Sequence, residues 1–407
     1  MKSKIAFLLF ICFATALPAR ENQFAAMNDV TWNAPGTNEN DSMPLGNGDI
    51  ALNVWTEPGG DIVLLLAKSD AWSENGQLLK LGRVRVKLTP NPFVSPVAFT
   101  QTLKLEKGEI QLQAGKNTTH IWVDANHPVI HLEVRAEHPL QLEAKSELWR
   151  LKPYRLGLEA VSRAGFFEWG NNPDGLAFGP DTILPAQNDQ VSWCHFNTDS
   201  IYPLVFQKEH LESLLSKYPD PLLHRCFGVT MKGQGLSSSD DQTLKSAGSS
   251  KTFRLDLYVL TQQADSPETW QAALNKEMVS ISASNIQVAW KAHERWWTEF
   301  WNRSWIQVGG TPEAGQISQS YAIQRFMTAC AGRGAQRSRE APATKCPCRS
   351  ASRILPTGKC GCSQIQGVLS TTLTRSSALL QRISGTYIAR PSTGRAWNWP
   401  GVSARKS

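Results

Sequence analysis

Short apolar and alternating runs, separated by glycine, proline, asparagine and aspartate, dominate the chain from position 30 to about 263. A period of two residues places alternate side chains on one face of a strand, so these runs predict β-strands. Strands are expected near positions 49–55, 61–67, 84–88, 109–113, 121–124, 129–136, 141–147, 191–196, 227–231 and 253–260. So long a stretch of strands favours a large antiparallel two-sheet sandwich, a β-super-sandwich, over a small one. The fold class is therefore mainly β, with one helical signal inside this region at positions 208–218.

The hydrophobic period changes after position 265. Ser266, Pro267 and Glu268 form a typical helix start, because serine caps the free N–H groups and proline suits the first helical position. Steps of three and four then place a broad aromatic row on one helix: Ile286, Trp290, His293, Trp297 and Trp301. A second helix is predicted over Pro312–Ala331. Because such wide apolar faces need partners, the two helices predict the beginning of a helical domain, with part of the aromatic surface exposed.

Positive charge is concentrated at the C-terminal end. Positions 336–407 hold twelve Lys or Arg and one acidic residue, a net of +11 against +7 for the whole chain. The preceding residues are therefore mildly acidic, which argues against a nucleic-acid partner for the body of the protein. The tail has no apolar period and is predicted to be disordered. Its lack of acidic residues after Glu340 is typical of a coding region read in the wrong frame.

The cysteines predict neither a metal site nor a cofactor. The tail pairs Cys346 with Cys348 and Cys360 with Cys362, and this single-residue spacing is shorter than zinc sites usually have. Between the N-terminal segment and the tail lie three cysteines, Cys194, Cys226 and Cys330, too few for a disulfide framework. A bridge between Cys194 and Cys226 and a pair of buried free thiols both remain open.

The first nineteen residues have the order of a secretory signal. Lys2 and Lys4 precede an apolar run over positions 5–13, and small residues follow at Ala14, Ala16 and Ala19. That run is shorter than the roughly 20 apolar residues needed to cross a bilayer. We therefore expect a cleaved signal at 1–19, no membrane span and a secreted or periplasmic protein, with an uncleaved anchor as the alternative.

Six short motifs occur in a specific order along the chain. They are MPLGNGDI at 43–50, KSDAWSENG at 68–76, LGRVRV at 81–86, PDPL at 219–222, HERWWTEFW at 293–301 and YAIQRFMTACAGRG at 321–334. Together they resemble the bacterial glycoside hydrolases of the family 95 type over about positions 30–334. The resemblance implies a super-sandwich, a linker and a six-hairpin (α/α)6 barrel. It also implies inverting hydrolysis of α-linked sugars, with L-fucosides as the candidate class.

The resemblance also defines the expected domains. They are a signal peptide at 1–19, a β-super-sandwich at 30–263, a linker helix and an incomplete α/α-barrel hairpin at 266–334, and a basic, non-native tail at 335–407. The family's catalytic groups lie on later barrel loops, and nothing in this chain matches those segments. Glu294 and Glu299, five positions apart on one helix, point to different faces and do not form an acid and base pair. No catalytic residue is therefore assigned, and the chain is expected to be inactive.

Four residues are candidates for contact with a sugar. Asp70, Trp72 and Asn75 place a carboxylate, an aromatic face and an amide on one loop, which suits ring stacking and hydroxyl binding. Asn47 lies on a turn whose glycines allow close backbone approach to a ligand or to a neighbouring segment. The alternatives are a purely structural turn at Asn47 and a Trp72 that fills the sandwich core.

The leading interpretation is thus a fragment of an exported glycoside-hydrolase-like protein whose partner is a carbohydrate. The alternative is a non-catalytic carbohydrate-binding or structural β-sandwich protein. A third interpretation is a binding protein that uses the basic tail. The tail arginines would then have to bind their ligand without ordered aromatic side chains between them.

Overall fold

The computed structural model describes residues 24–94, 98–155 and 177–333, so the predicted signal at 1–19 and the predicted tail at 335–407 lie outside the described residues. Within the described ranges the chain forms seventeen strands and four α-helices. The first nine strands are β1 (Val30–Trp32), β2 (Met43–Gly46), β3 (Ile50–Thr56), β4 (Ile62–Trp72), β5 (Leu78–Thr89), β6 (Phe99–Lys104), β7 (Glu109–Ala114), β8 (Asn117–Val123) and β9 (Val129–Glu147). The remaining strands are β10 (Tyr154–Arg155), β11 (Ala177–Phe178), β12 (Asp181–Gln187), β13 (Gln190–Phe196), β14 (Arg225–Gln234), β15 (Leu236–Asp240), β16 (Thr243–Ser246) and β17 (Ser250–Gln263). The helices are α1 (Tyr202–Lys208), α2 (Pro267–Ser282), α3 (Ile286–Arg303) and α4 (Pro312–Ala331).

Fifteen of these strands form one large antiparallel sheet with two branches. The first branch has the order β1-β6-β7-β8-β9-β17-β14-β13-β12, and the second has the order β2-β3-β4-β5-β9-β16-β15. Strand β9 belongs to both, because residues 129–135 pair with β8 and β17 while residues 141–147 pair with β5. Pro139 lies between the two halves and has no N–H for the ladder, which suits the point where the strand changes partners.

The two branches lie against each other and enclose the core. Strands β4 and β5 contact β14, and β4 also contacts β17. Their inward side chains are fully buried, among them Leu64, Val84, Val86, Val229 and Leu257. The predicted fold class, mainly β with a large antiparallel sandwich, is therefore confirmed. The sequence separates positions 129–136 from 141–147, whereas the structure joins them in one strand.

The helices that follow pack on the outside of the sandwich. Ser266 caps α2 by accepting from the N–H of Thr269, and Trp270 of α2 is fully buried. In α3 the side chains of Trp297 and Trp301 are buried, whereas Trp290, Trp296 and Phe300 are partly exposed, as the width of the aromatic row predicts. Helix α4 has the predicted bounds and buries its inner row, including Ile323, Met327 and Cys330. No described helix is both long and apolar enough to span a bilayer.

The prediction of a helix at positions 208–218 is wrong, because the helix in this region lies earlier in the chain. Helix α1 begins at Tyr202 with Pro203 in its first turn, where the missing proline N–H costs nothing. It ends at Lys208, and His210 has a φ of 55°, a left-handed conformation that does not continue a helix. Only a short 3-10 turn, Glu212–Leu214, lies in the predicted range.

Candidate functional site

The glycine-rich turn after β2 is covered by the C-terminal end of α4. A Cβ atom on Gly46 would lie 2.6 Å from the carbonyl oxygen of Cys330, and one on Gly48 would lie 2.7 Å from Cγ of Arg333. The backbone N–H of Gly48 also donates to that Cys330 oxygen at 3.0 Å. Glycine is therefore required here because a helix end packs directly on the turn.

Arg333 fixes this junction through its guanidinium group. It donates to the carbonyl oxygens of Gly46 at 3.2 Å and Ala125 at 3.1 Å. Its Cζ atom lies 3.4 Å from the centre of the Trp296 ring, a cation–π contact. Burial lowers the pKa of Arg333 to about 10, and the side chain remains charged at neutral pH.

Asn47 lies inside the same turn, and its amide is used by the protein. The Nδ2 group donates to the carbonyl oxygens of Asp124 at 2.8 Å and His127 at 3.2 Å. The Oδ1 atom accepts from the N–H groups of Asp49 and Ile50 at 3.0 and 2.8 Å. The residue is buried, and these four hydrogen bonds stabilise the turn. The predicted contact of Asn47 with a sugar stays a prediction.

Asp70 lies near the end of β4 in a cluster of charged side chains. The Nζ atom of Lys68 is 2.7 Å from Asp49 and 2.8 Å from Asp70. Arg225 approaches from the side, with its Nη2 atom 3.6 Å from Asp70 and its Nε–H donating to the Asp70 carbonyl oxygen at 2.9 Å. The Asp70 side chain is 39% exposed, so it remains partly open to solvent.

Trp72 and Asn75 continue the same segment into the loop before β5. The Trp72 side chain is partly exposed, and its carbonyl oxygen accepts from the amide of Asn197 at 3.1 Å. Asn75 is buried and donates through Nδ2 to the carbonyl oxygen of Ala177 at 2.6 Å. The structure thus brings Asp70, Trp72 and Asn75 to one end of the sandwich, and Asn47 belongs to the separate α4 junction.

A buried network of four charged side chains lies beneath this loop. Glu74 and Asp181 bond opposite nitrogens of the His195 ring, each at 3.0 Å, and Arg150 bonds Asp181 through Nε at 3.0 Å. Glu74 also accepts from the N–H of Gly179. All four side chains are buried, and together they join the loop to β12 and β13.

Contacts within the network shift the pKa values of His195 and Glu74. Although burial opposes the charged form, hydrogen bonds and charge attraction from Asp181 and Glu74 raise the pKa of His195 above its ordinary value. Burial likewise opposes ionisation of Glu74, yet the bond to His195 holds the pKa of Glu74 below its ordinary value. Each of the two buried carboxylates therefore has a hydrogen-bonding partner in the His195 ring or the Arg150 guanidinium, which is how buried polar groups are tolerated.

These four residues are the part of the site that the sequence does not single out. Glu74 lies inside the KSDAWSENG motif, but His195, Asp181 and Arg150 come from distant positions and share no local spacing with it. Only the strand register brings His195 opposite Asp181 on the neighbouring strand. The one local signal is a histidine within a strand of otherwise apolar and small residues.

Glu74 and Asp181 of this network are not arranged as a catalytic acid and base. Glu74 and Asp181 are separated by the His195 ring and are both hydrogen-bonded, so neither is placed to protonate a leaving group. Glu294 of α3 forms an ion pair with Lys107, with 3.3 Å between Oε1 and Nζ, away from this loop. No group of His, Cys, Asp and Glu among the described residues is arranged to hold a metal ion. Cys194, Cys226 and Cys330 are free and buried, so the alternative of free thiols holds in this structure.

Comparison with known proteins gives a match to one family model and matches to solved structures. A family model described as a domain of unknown function, the N-terminal part of DUF5703, matches residues 31–306. The solved structure described as "Putative kojibiose phosphorylase from human microbiome" is 8% identical, with a TM-score of 0.39, and the match covers 75% of this chain. The chain spans only 42% of that protein. Among curated proteins no match is found.

Proposed function

The chain belongs to the family of the DUF5703 N-terminal domain, and from that premise we propose that it is the sandwich and linker part of a glycoside-hydrolase-like protein. Its proposed partners are α-linked sugars, with L-fucosides as the first class to test. The proposal includes export through the signal at 1–19, the domain bounds given above and a non-native tail after position 334. It rests on the six motifs in their order and on the sandwich that carries them.

One observation supports sugar contact most directly, namely the fixed placement of Asp70 and Trp72 at one end of the sandwich. Trp72 is partly exposed, and the Asp70 side chain is 39% exposed. The Glu74 and His195 network beneath them holds the loop in place, so little ordering is needed on binding. An aromatic face beside a carboxylate suits the C–H face and the hydroxyl groups of a sugar.

Asn75 and Asn47 take supporting roles in this proposal. Both side chains are buried, and both amides bond backbone groups of neighbouring segments. Asn75 ties the loop to β11, and Asn47 ties the turn to residues 124–127. Asn75 therefore supports the Asp70 and Trp72 site directly, whereas Asn47 would contact a sugar only at the separate α4 junction.

The chain is proposed to bind without hydrolysis, because no motif in it matches the later barrel loops that carry the catalytic groups of the family it resembles. Two measurements on the purified protein test this: saturation-transfer NMR with methyl α-L-fucoside, and release of nitrophenol from 4-nitrophenyl α-L-fucoside. We expect binding, loss of binding in Trp72→Ala, and no turnover above background. A Trp305→Ala variant is the matched control, because Trp305 is also exposed and its ring stacks on Phe24, outside the loop.

The alternative function, a structural β-sandwich, is favoured by a different observation. The α4 end docks on the Gly46 and Gly48 turn through backbone contacts that leave no room for a ligand. If no α-linked sugar binds while the helices stay docked, the protein is a structural module. A neighbouring reading frame that encodes further helices after position 334 would support the hydrolase fragment instead.

A further inference from the structure

A second concave site lies between the outer face of the sandwich and the beginning of α3. Its volume is about 280 Å³, close to the lower end of the roughly 300 to 1,000 Å³ typical of small-molecule sites. Among the described residues that line it are Glu109, His120, Trp122, Glu133, Arg135 and Trp290. It shares none of its lining residues with the Asp70 and Trp72 loop.

Strand register places the polar side chains of this cleft on one face. Glu109 of β7 lies directly opposite Trp122 of β8, and His120 of β8 lies directly opposite Glu133 of β9. Residues opposite each other, and residues two apart on one strand, share a face of the sheet. Glu109, His120, Trp122 and Glu133 therefore project toward the same side, where α3 begins above them.

The aromatic wall of the cleft is held rigidly. Trp290 packs edge-on against Trp122, with 5.1 Å between ring centres, and stacks on His293 at 5.2 Å. His293 is itself bonded on both nitrogens, to the Lys107 carbonyl oxygen and the Ala125 N–H. Trp290 remains partly exposed, and no acceptor in the described part of the chain bonds its indole N–H. The ring therefore presents a fixed apolar surface with a donor at its edge.

The charges around the cleft balance. Glu109 and Glu133 supply two carboxylates, while Lys107 and Arg135 supply two cations. Glu109 is 4% exposed and bonds His120 at 3.1 Å, which fixes its carboxylate. A site with one dominant sign of charge would select an ion. This balance favours an uncharged ligand that offers both hydrogen-bond donors and acceptors.

We propose that this cleft binds a neutral sugar ring. The C–H face of the ring packs on Trp290, its hydroxyl groups donate to Glu133, and Arg135 and Gln287 donate to its oxygens. The rigid aromatic surface keeps the ordering cost of binding low. This inference goes beyond the proposed function, because it assigns a second site that neither the motifs nor the family description includes.

The test is saturation-transfer NMR on the full chain with D-glucose, D-galactose, D-xylose and L-fucose, with D-galacturonate and D-glucosamine as charged comparators. At least one neutral sugar should bind, with affinity reduced tenfold or more in Trp290→Ala and in Glu133→Gln. Trp305→Ala and Trp72→Ala should bind that sugar at this cleft as the unchanged protein does. The Trp72→Ala variant separates this site from the proposed fucoside site.

Three outcomes would overturn the inference. One is the absence of binding by all four neutral sugars, and another is binding that Trp290→Ala and Glu133→Gln leave unchanged. The third is tighter binding of a charged comparator than of every neutral sugar. If Trp290→Ala fails to fold, Glu133→Gln and Gln287→Ala carry the test, because neither of those side chains is fully buried.

Discussion

Replacing His195 by phenylalanine should destabilise the protein, because His195 belongs to the buried network beneath the loop between β4 and β5. The two rings have similar size, and His195 already stacks on Phe227 with 5.2 Å between ring centres, so the change leaves no large cavity. It does remove the group that bonds Glu74 and Asp181. Removing one partner of a buried ion pair costs roughly 3 to 5 kcal/mol, because the other charge is left without compensation. Asp181 keeps Arg150 and Glu74 keeps the Gly179 amide, so we expect a loss near 3 kcal/mol.

The loss should depend on pH in a defined direction. The pKa of His195 is raised in the folded state, so its contribution is complete below its ordinary value of 6.5 and is lost as pH rises through the raised value. The pKa of Glu74 is lowered, so its contribution is complete above its ordinary value of 4.5 and is lost as pH falls. The stability gap between the unchanged protein and His195→Phe should therefore be widest between those two values.

Urea unfolding at pH 5.5 and pH 8 measures this gap directly. His138→Phe is the control, because His138 is exposed on β9 and its replacement should stay within roughly 0.5 kcal/mol. A loss below about 1 kcal/mol in His195→Phe, or a gap that does not narrow at pH 8, would refute the argument that the network is charged and holds the loop.

Further predictions concern the helices and their junction with the sandwich. Gly46→Ala should cost about 1 to 3 kcal/mol, because its Cβ would meet the Cys330 carbonyl oxygen, whereas Gly59→Ala, with open space around it, should be nearly neutral in the same urea assay. Trp297→Ala should cost about 3 to 5 kcal/mol, since the ring is fully buried, and a thermal midpoint unchanged by this variant would contradict its place in the core. Burial lowers the pKa of His293 to about 4, so stability should fall as pH falls from 6.5 toward 4; a His293→Gln variant with the same acid sensitivity would contradict this assignment.

Local pattern was enough to predict most of the secondary structure. The alternation along β3 and β7 and the helical spacing of α4 follow from which side chains face the core, and both are visible in the sequence. The helix predicted at 208–218 differs from α1 because Pro203 sets where α1 begins. The apolar spacing in the sequence continues past Lys208, where α1 ends. The two predicted parts of β9 are one strand because β17 pairs with residues on both sides of Pro139, namely 129–135 and Leu140.

The candidate site was predictable only where its residues are close in sequence. Asp70, Trp72 and Asn75 could be grouped from their spacing, but the single loop predicted for them is wrong, because Asp70 and Trp72 lie on β4 and only Asn75 lies on the loop after it. Asn47 is tied to residues 124–127, so its internal hydrogen bonds depend on the fold. The contacts of Glu74 with His195 require a strand register that no local pattern encodes.

The central claim is that the Asp70 and Trp72 end of the sandwich contacts an α-linked sugar. Saturation-transfer NMR with methyl α-L-fucoside on the unchanged chain, Trp72→Ala and Trp305→Ala tests it most directly. The claim predicts transfer to the sugar protons in the unchanged chain and in Trp305→Ala, and its loss in Trp72→Ala. Equal transfer in all three proteins, or none in the unchanged chain, would contradict it.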